Sequence, residues 1–175
     1  MLLGFKEQHN GLDTGFVRKI LANDRVRPGR DFAYYAPEFE QALEGHCQPK
    51  LHTLRGVNHP INAGNTIHFA TGVRTKQCRI FGVAPCVSTQ LVAMKLAPRT
   101  GTLLVAVEQD SRFWHVFDEA ELTRFVQNDG FDTLQAFDDW FRPLIEEAGG
   151  RLERKLIHWT DLCYSGANPF GRKPV

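Results

Sequence analysis

Apolar positions along the chain change period in a way that separates strands from helices. Leu2, Leu3 and Phe5 form a short apolar run ended by Gly11 to Gly15, which reads as a first strand. Phe16, Val17, Ile20 and Leu21 then recur at helical spacing, and Pro37 opens a second brief helix over 37–43. From residue 50 the pattern becomes strand-like. Runs at 50–55, 66–70, 78–87, 91–96, 103–107, 113–117 and 152–159 are separated by Gly and Pro turns, and Pro85 marks an edge or a bulge. Two amphipathic helices interrupt the last of these. Asp118 with Glu121 fits a capping box, Phe117 with Leu122 its hydrophobic staple, and Asn128-Asp129-Gly130 stops the helix. The next starts at Asp132 and Gln135, carries the stripe Leu134, Phe137, Phe141, Leu144 and Ile145, and stops at Gly149-Gly150. Residues 164–175 read as a polar tail.

This order predicts an α+β fold in one domain spanning 1–175. Its strands over 50–110 and 151–160 are expected to form a mixed or antiparallel β-barrel, with helices 118–128 and 133–148 packed outside. Thirteen Phe supply core for a chain of 175 residues. The first six residues are too short for a signal-peptide core, and no apolar run reaches membrane-spanning length. A cytoplasmic location without a membrane partner is therefore expected, while the oligomeric state is left open. Cys47, Cys78, Cys86 and Cys163 lack C-x-x-C spacing, so free thiols are expected. The histidines are scattered, and neither a metal nor a cofactor is predicted.

The net charge is only +1, but it is unevenly distributed. Residues 1–107 hold 13 Lys and Arg against 7 Asp and Glu, whereas 108–175 hold 8 against 13. A basic face for phosphate is thus available on a nearly neutral chain. One candidate is the loop with Arg25, Arg27 and Arg30, followed by Tyr34 and Tyr35. Basic groups beside aromatics can hold a nucleic-acid strand by phosphate contact and base stacking. The same composition also suits a solvated turn around Pro28-Gly29.

The densest chemistry lies in Lys50-Leu51-His52-Thr53-Leu54-Arg55, just after Pro49. As a strand it puts Thr53 and Arg55 on one face. Lys50 has the opposite phase and joins them only if the chain is still turning at Pro49-Lys50. Otherwise the segment is a short strand with a polar outer face.

Taken in order, several motifs resemble the ASCH domain. They are Phe5-Lys6 in a first strand, Lys50-Leu51-His52-Thr53-Leu54-Arg55, Gly64 before a strand, and Thr71-Gly72-Val73-Arg74-Thr75-Lys76. Asn128-Asp129-Gly130-Phe131 and Ile157-His158-Trp159-Thr160 complete the set. Residues about 10–47 depart from the family pattern and read as an insertion beside the presumed cleft. The resemblance implies a barrel similar to the RNA-binding PUA domain, and either RNA binding or, as in one bacterial branch, hydrolysis of N4-acetylcytidine by a Lys, a Thr and a Glu. Those roles fall on Lys50, Thr53 and Asp129, the last one methylene shorter than Glu. Arg55, Arg74 and Lys76 are then expected around the substrate.

Amide hydrolysis needs a nucleophile, a base to activate it and an acid for the leaving nitrogen. Burial and neighbouring positive charge from Arg55 and Arg74 would depress Lys50 and let it act as the base. Asp129 would donate a proton or orient water, unless Asp129-Gly130 is simply a helix stop. The retained Lys-x-x-Thr pair favours an enzyme acting on an N4-acylcytidine. A non-catalytic RNA-binding module is the alternative, and a ribonuclease the weaker one. The ligand expected in every case is a nucleoside or RNA.

Overall fold

The structure, a computed structural model, describes residues 1–44, 47–110 and 113–165. The chain starts with β1 (Leu2–Gly4) and a small hairpin of β2 (Gln8–His9) and β3 (Leu12–Asp13). It continues through α1 (Phe16–Leu21), β4 (Arg27–Pro28), a 3-10 turn (Phe32–Tyr35) and α2 (Ala36–Leu43). Strands β5 (His52–Gly56), β6 (Thr66–Thr71), β7 (Arg79–Pro85), β8 (Ser88–Leu96), β9 (Leu103–Asp110) and β10 (Phe113–Val116) follow. Helices α3 (Glu119–Asn128) and α4 (Leu134–Glu147) then lead to β11 (Arg151–His158).

These strands make two larger sheets, and neither closes. One runs β1-β6-β7-β4 and the other β10-β9-β8-β11-β5. β1 pairs with β6 in parallel, while the remaining pairs are antiparallel. The α+β character holds, but the expected PUA-like barrel is not found. The chain leaves the first sheet after Pro85 and enters the second at Ser88, so the run expected over 78–87 ends in a corner between sheets. β1 and β5 are edges of different sheets. They are joined by a side chain, Arg55 donating from Nη2 to the Gly4 carbonyl at 2.5 Å, not by a backbone ladder.

The expected insertion is knitted into the first sheet. β4 pairs with β7, and Gly29 N–H donates to the Phe81 carbonyl at 3.0 Å. A Cβ on Gly29 would stand 2.5 Å from the Ile80 carbonyl oxygen, so only glycine lets the two backbones approach so closely. Aromatic residues from every part of the chain share one core, including Phe5, Phe16, Phe69, Phe81, Phe125, Phe137 and Trp159. No helix among the described residues is long and apolar enough to cross a membrane.

α3 begins as its sequence predicts. The Asp118 carboxylate accepts from Glu121 N–H at 2.8 Å, the Glu121 carboxylate accepts from Asp118 N–H at 3.0 Å, and Phe117 and Leu122 are both buried. α4 starts one residue later than the sequence suggests, with the Thr133 hydroxyl accepting from Ala136 N–H at 3.1 Å. Tyr164, expected in a polar tail, is buried; the tail from 166 onward lies outside the described residues. Asp118→Ala should lower stability by about 1 kcal/mol in urea unfolding, because it leaves an N-terminal amide of α3 without its cap. An unchanged midpoint would show that the box carries no stability.

Candidate active site

Period-two geometry places Thr53 and Arg55 together on β5, as a strand must. Lys50 precedes that strand and is held differently. Its N–H donates to the Lys19 carbonyl at 2.9 Å, and Leu51 N–H donates to the Asn128 carbonyl at 2.8 Å. The Asn23 side chain donates to the Lys50 carbonyl at 3.4 Å. Residues 50–51 are thus held between α1 and the end of α3, and the lysine stem turns inward until the side chain is 1% exposed.

The end of α3 supplies the partner. Asp129 is the C-cap and Gly130 follows with φ 88°, the left-handed conformation that ends many helices. A Cβ at Gly130 would lie 3.0 Å from Lys50 Cδ and 3.2 Å from its Cγ. Glycine is required there for the turn and for the space the lysine occupies. Lys50 Nζ donates to Asp129 Oδ1 at 3.0 Å and also to the Asp129 backbone carbonyl.

Burial pulls the Lys50 pKa down to about 8, with Arg55 and Lys19 adding to the fall and Asp129 opposing it. For Asp129 burial works upward, but Lys50 and His52 together outweigh it and hold the carboxyl below its ordinary value. At neutral pH the pair is therefore mainly ammonium and carboxylate.

A second layer sits behind Asp129. The Asn128 amide donates to the Tyr164 hydroxyl at 2.9 Å, and that hydroxyl is 2.8 Å from His52 Nε2. A phenol receiving the asparagine proton can give its own to Nε2, an arrangement that leaves the His52 hydrogen on Nδ1. Asp129 Oδ1 faces Nδ1 at 3.3 Å, a loose and poorly aligned contact. Burial lowers the His52 pKa and keeps the ring neutral, and burial raises that of Tyr164. The ring therefore stands neutral beside the carboxylate.

Arg55 is half-buried. Its Nη1 donates to Thr53 Oγ1 at 3.1 Å and to the Leu54 carbonyl at 2.9 Å. Burial brings its pKa down to about 10. The Thr53 hydroxyl accepts from Arg55 but donates to no described group, and it makes no hydrogen bond with Lys50.

Lys50, Thr53, Arg55 and Asp129 line one cleft of about 370 Å³. Phe5, Phe16, Phe131, Trp140 and Leu144 give it an apolar wall, and Lys6 and Arg154 also face it. A shallower hollow of about 670 Å³ adjoins it through Gly4, Phe5 and Lys6 and extends to Gly72 and Val73.

The other predicted residues lie elsewhere. Arg74 and Lys76 are exposed on the turn between β6 and β7 and do not line the cleft, so the charge that Arg74 was expected to give Lys50 comes from Lys19. Arg25 pairs with Asp161 at 2.6 Å, Arg30 with Asp31 at 3.2 Å, and Arg27 is exposed on β4. Tyr34 is exposed but lies under the Arg79 guanidinium, 3.9 Å from the ring centre. Tyr35 is fully buried with its hydroxyl 2.5 Å from Thr71 Oγ1, so it offers no stacking surface.

Sequence reasoning passed over His52, Tyr164, Phe16 and Trp140. His52 had one readable signal, its place on the inward phase of β5 with Leu54. Among the described residues, no group of three or more His, Cys, Asp and Glu could hold a metal ion. Compared with known protein families, curated proteins and solved structures, the chain matches none.

Breaking the pair from one side strands a buried charge. Lys50→Met should destabilise by about 3–5 kcal/mol. The double variant Lys50→Met/Asp129→Asn should recover most of that loss in urea titrations. Equal losses in the single and double variants would mean that the two groups are not coupled.

Proposed function

We propose that the protein is an amidohydrolase that removes the acyl group from a modified nucleoside, most concretely N4-acetylcytidine. The observation that supports this most is Lys50, a buried amine with a pKa of about 8 in an aromatic-walled cleft that also holds the Thr53 hydroxyl. The ordered motifs that resemble ASCH amidohydrolases assign nucleophile and base to the same two residues.

With a pKa of about 8, roughly a tenth of Lys50 is neutral at pH 7. A neutral amine has two N–H donors and one lone pair. The two donors match the two Asp129 oxygens it already meets, and the lone pair is free to take the Thr53 proton once the side chain turns to it. Thr53 Oγ1 then attacks the acyl carbon, and Arg55, which stands beside that oxygen, turns a donor to the acyl carbonyl oxygen, where the negative charge develops. The C–N bond breaks as Lys50 ammonium returns the proton to the departing exocyclic nitrogen. Water next attacks the threonyl ester, giving its proton to Lys50, and the carboxylic acid leaves as the proton returns to Thr53. Asp129, held ionised, steadies Lys50 and is not itself the acid. The flat faces of Phe16, Phe131 and Trp140 suit a pyrimidine ring.

Activity should depend on the neutral form of Lys50, so kcat/KM should rise with pH and level off above about 8. Asp129 raises the Lys50 pKa, so Asp129→Asn should move the midpoint to lower pH while reducing the maximum. A midpoint unmoved by Asp129→Asn would remove Lys50 as the titrating base.

Incubation with N4-acetylcytidine, followed by chromatography for cytidine, tests the activity itself. Thr53→Ala should abolish turnover in a folded protein, and Lys50→Arg should be nearly as damaging because a guanidinium keeps its proton. No cytidine from the unmodified protein would defeat the proposal.

A further inference from the structure

We infer that the cleft takes its ligand as an anion, a nucleotide whose phosphate lies among Lys6, Arg55 and Arg154 while its base rests on the aromatic wall. The amidohydrolase reading supplies only the choice of a cytosine base. The anion follows from the cleft's own charge.

Four cations line the cleft, Lys6, Lys50, Arg55 and Arg154, against one carboxylate, Asp129. That carboxylate is taken by Lys50. Among the described residues, Lys6, Arg55 and Arg154 have no carboxylate within ion-pair distance, whereas Lys19, Arg25, Arg142 and Arg151 each have one. An exposed lysine without a partner is ordinary. A half-buried guanidinium is not, because lost hydration is usually offset by an opposite charge. Arg55 finds only neutral acceptors: the Thr53 hydroxyl and the carbonyls of Leu54 and Gly4. Among the described residues, the Arg154 guanidinium donates only to the Glu153 carbonyl, at 3.3 Å. Burial lowers the pKa of both guanidinium groups, and Asp129, committed to Lys50, offsets it only in part at Arg55.

Their origin supports a built site. Lys6 follows β1, Arg55 ends the exposed side of β5, and Arg154 stands on β11 opposite Gly56 in register. The three flank the open seam between the sheets. Lys6 Nζ lies 5.6 Å from the Trp140 ring centre, so positive charge borders the flat surface. Guanidinium and phosphate match in shape and charge, and about 370 Å³ is within the range of pockets that enclose ligands of this size. The phosphate could belong to a mononucleotide or to an RNA chain continuing into the adjoining hollow.

Calorimetry with cytidine, cytidine 5′-monophosphate and a short oligocytidylate decides among these. None carries an acyl group, so the result does not depend on turnover. At low salt the monophosphate should bind at least about ten-fold more tightly than cytidine, as a charge-assisted contact implies, and the gap should shrink as salt rises. Arg154→Gln, and separately Lys6→Gln, should weaken the monophosphate several-fold and leave cytidine unchanged. An oligonucleotide tighter than the monophosphate would assign the phosphate to RNA, and equal affinities would assign it to a mononucleotide; either supports an anion site. Equal binding of cytidine and its monophosphate, or no binding of the monophosphate, overturns the inference. If the monophosphate binds but N4-acetylcytidine is not hydrolysed, the proposed activity falls and the anion site remains.

Discussion

The buried pair of Lys50 and Asp129 is the constraint around which this structure is arranged. Removing an ammonium and a carboxylate from water costs several kcal/mol for each ion, and mutual attraction offsets it only where the remaining donors and acceptors are also satisfied. The fold meets that demand from four directions. α1 anchors the Lys50 backbone, the end of α3 offers a carboxylate and a carbonyl together, Gly130 leaves room for the stem, and His52 faces the carboxylate from behind. The pair contributes little to stability in its own right compared with an apolar filling. It fixes where an amine of lowered pKa sits, and a packed apolar core would not do that.

The second organising feature is the seam between the sheets. Had β1 and β5 paired through their backbones, a ladder would occupy the place of the cleft. Instead Arg55 reaches across to the Gly4 carbonyl, and one side chain holds the edges together. An edge joined this way is blunted against pairing with another chain, since a charged residue covers it. It also leaves space for a ligand at the seam, lined by Lys50 and Thr53, by Asp129 and Phe131 just after α3, and by α4. The same departure that makes the barrel fail creates the site.

Local patterns were legible where the signal was local. α3 was readable because its capping box and staple lie within a few residues of each other, and β11 because Leu152, Leu156 and His158 recur at period two and are buried on one face. Sheet closure was not, because periodicity reports which face of a strand is buried and not which strand lies beside it. Lys50, Thr53 and Asp129 could be named from the sequence, but their distances depend on contacts far apart along the chain, such as the one from Lys50 to Asp129, 79 residues on. Tyr164 gave no signal at all. It follows polar turns, and its place in the interior comes from the Asn128 and Gln90 amides, the His52 ring and the Phe117 and Phe125 rings that meet it there.

The segment over 10–47 illustrates how a site can depend on chain that carries none of its chemistry. Its arginines and tyrosines attract notice in the sequence, yet their structural work is pairing, stacking and core packing. Its bearing on the site comes from quieter residues. Lys19 offers its carbonyl to Lys50 and its own ammonium to the Gly130 carbonyl and Asp132, Asn23 secures the Lys50 carbonyl, and Phe16 forms part of the cleft wall. Lys50 Nζ stands 4.6 Å from the Phe16 ring centre, so the aromatic face that shapes the pocket also steadies the charged form of the amine. Two opposing influences therefore act on one nitrogen. Burial and the charges of Arg55 and Lys19 favour the neutral base, while Asp129 favours the ammonium, and a pKa of about 8 is the balance between them. A group so balanced can accept a proton and give it back near neutral pH, which neither a solvated lysine nor a fully dry one can do.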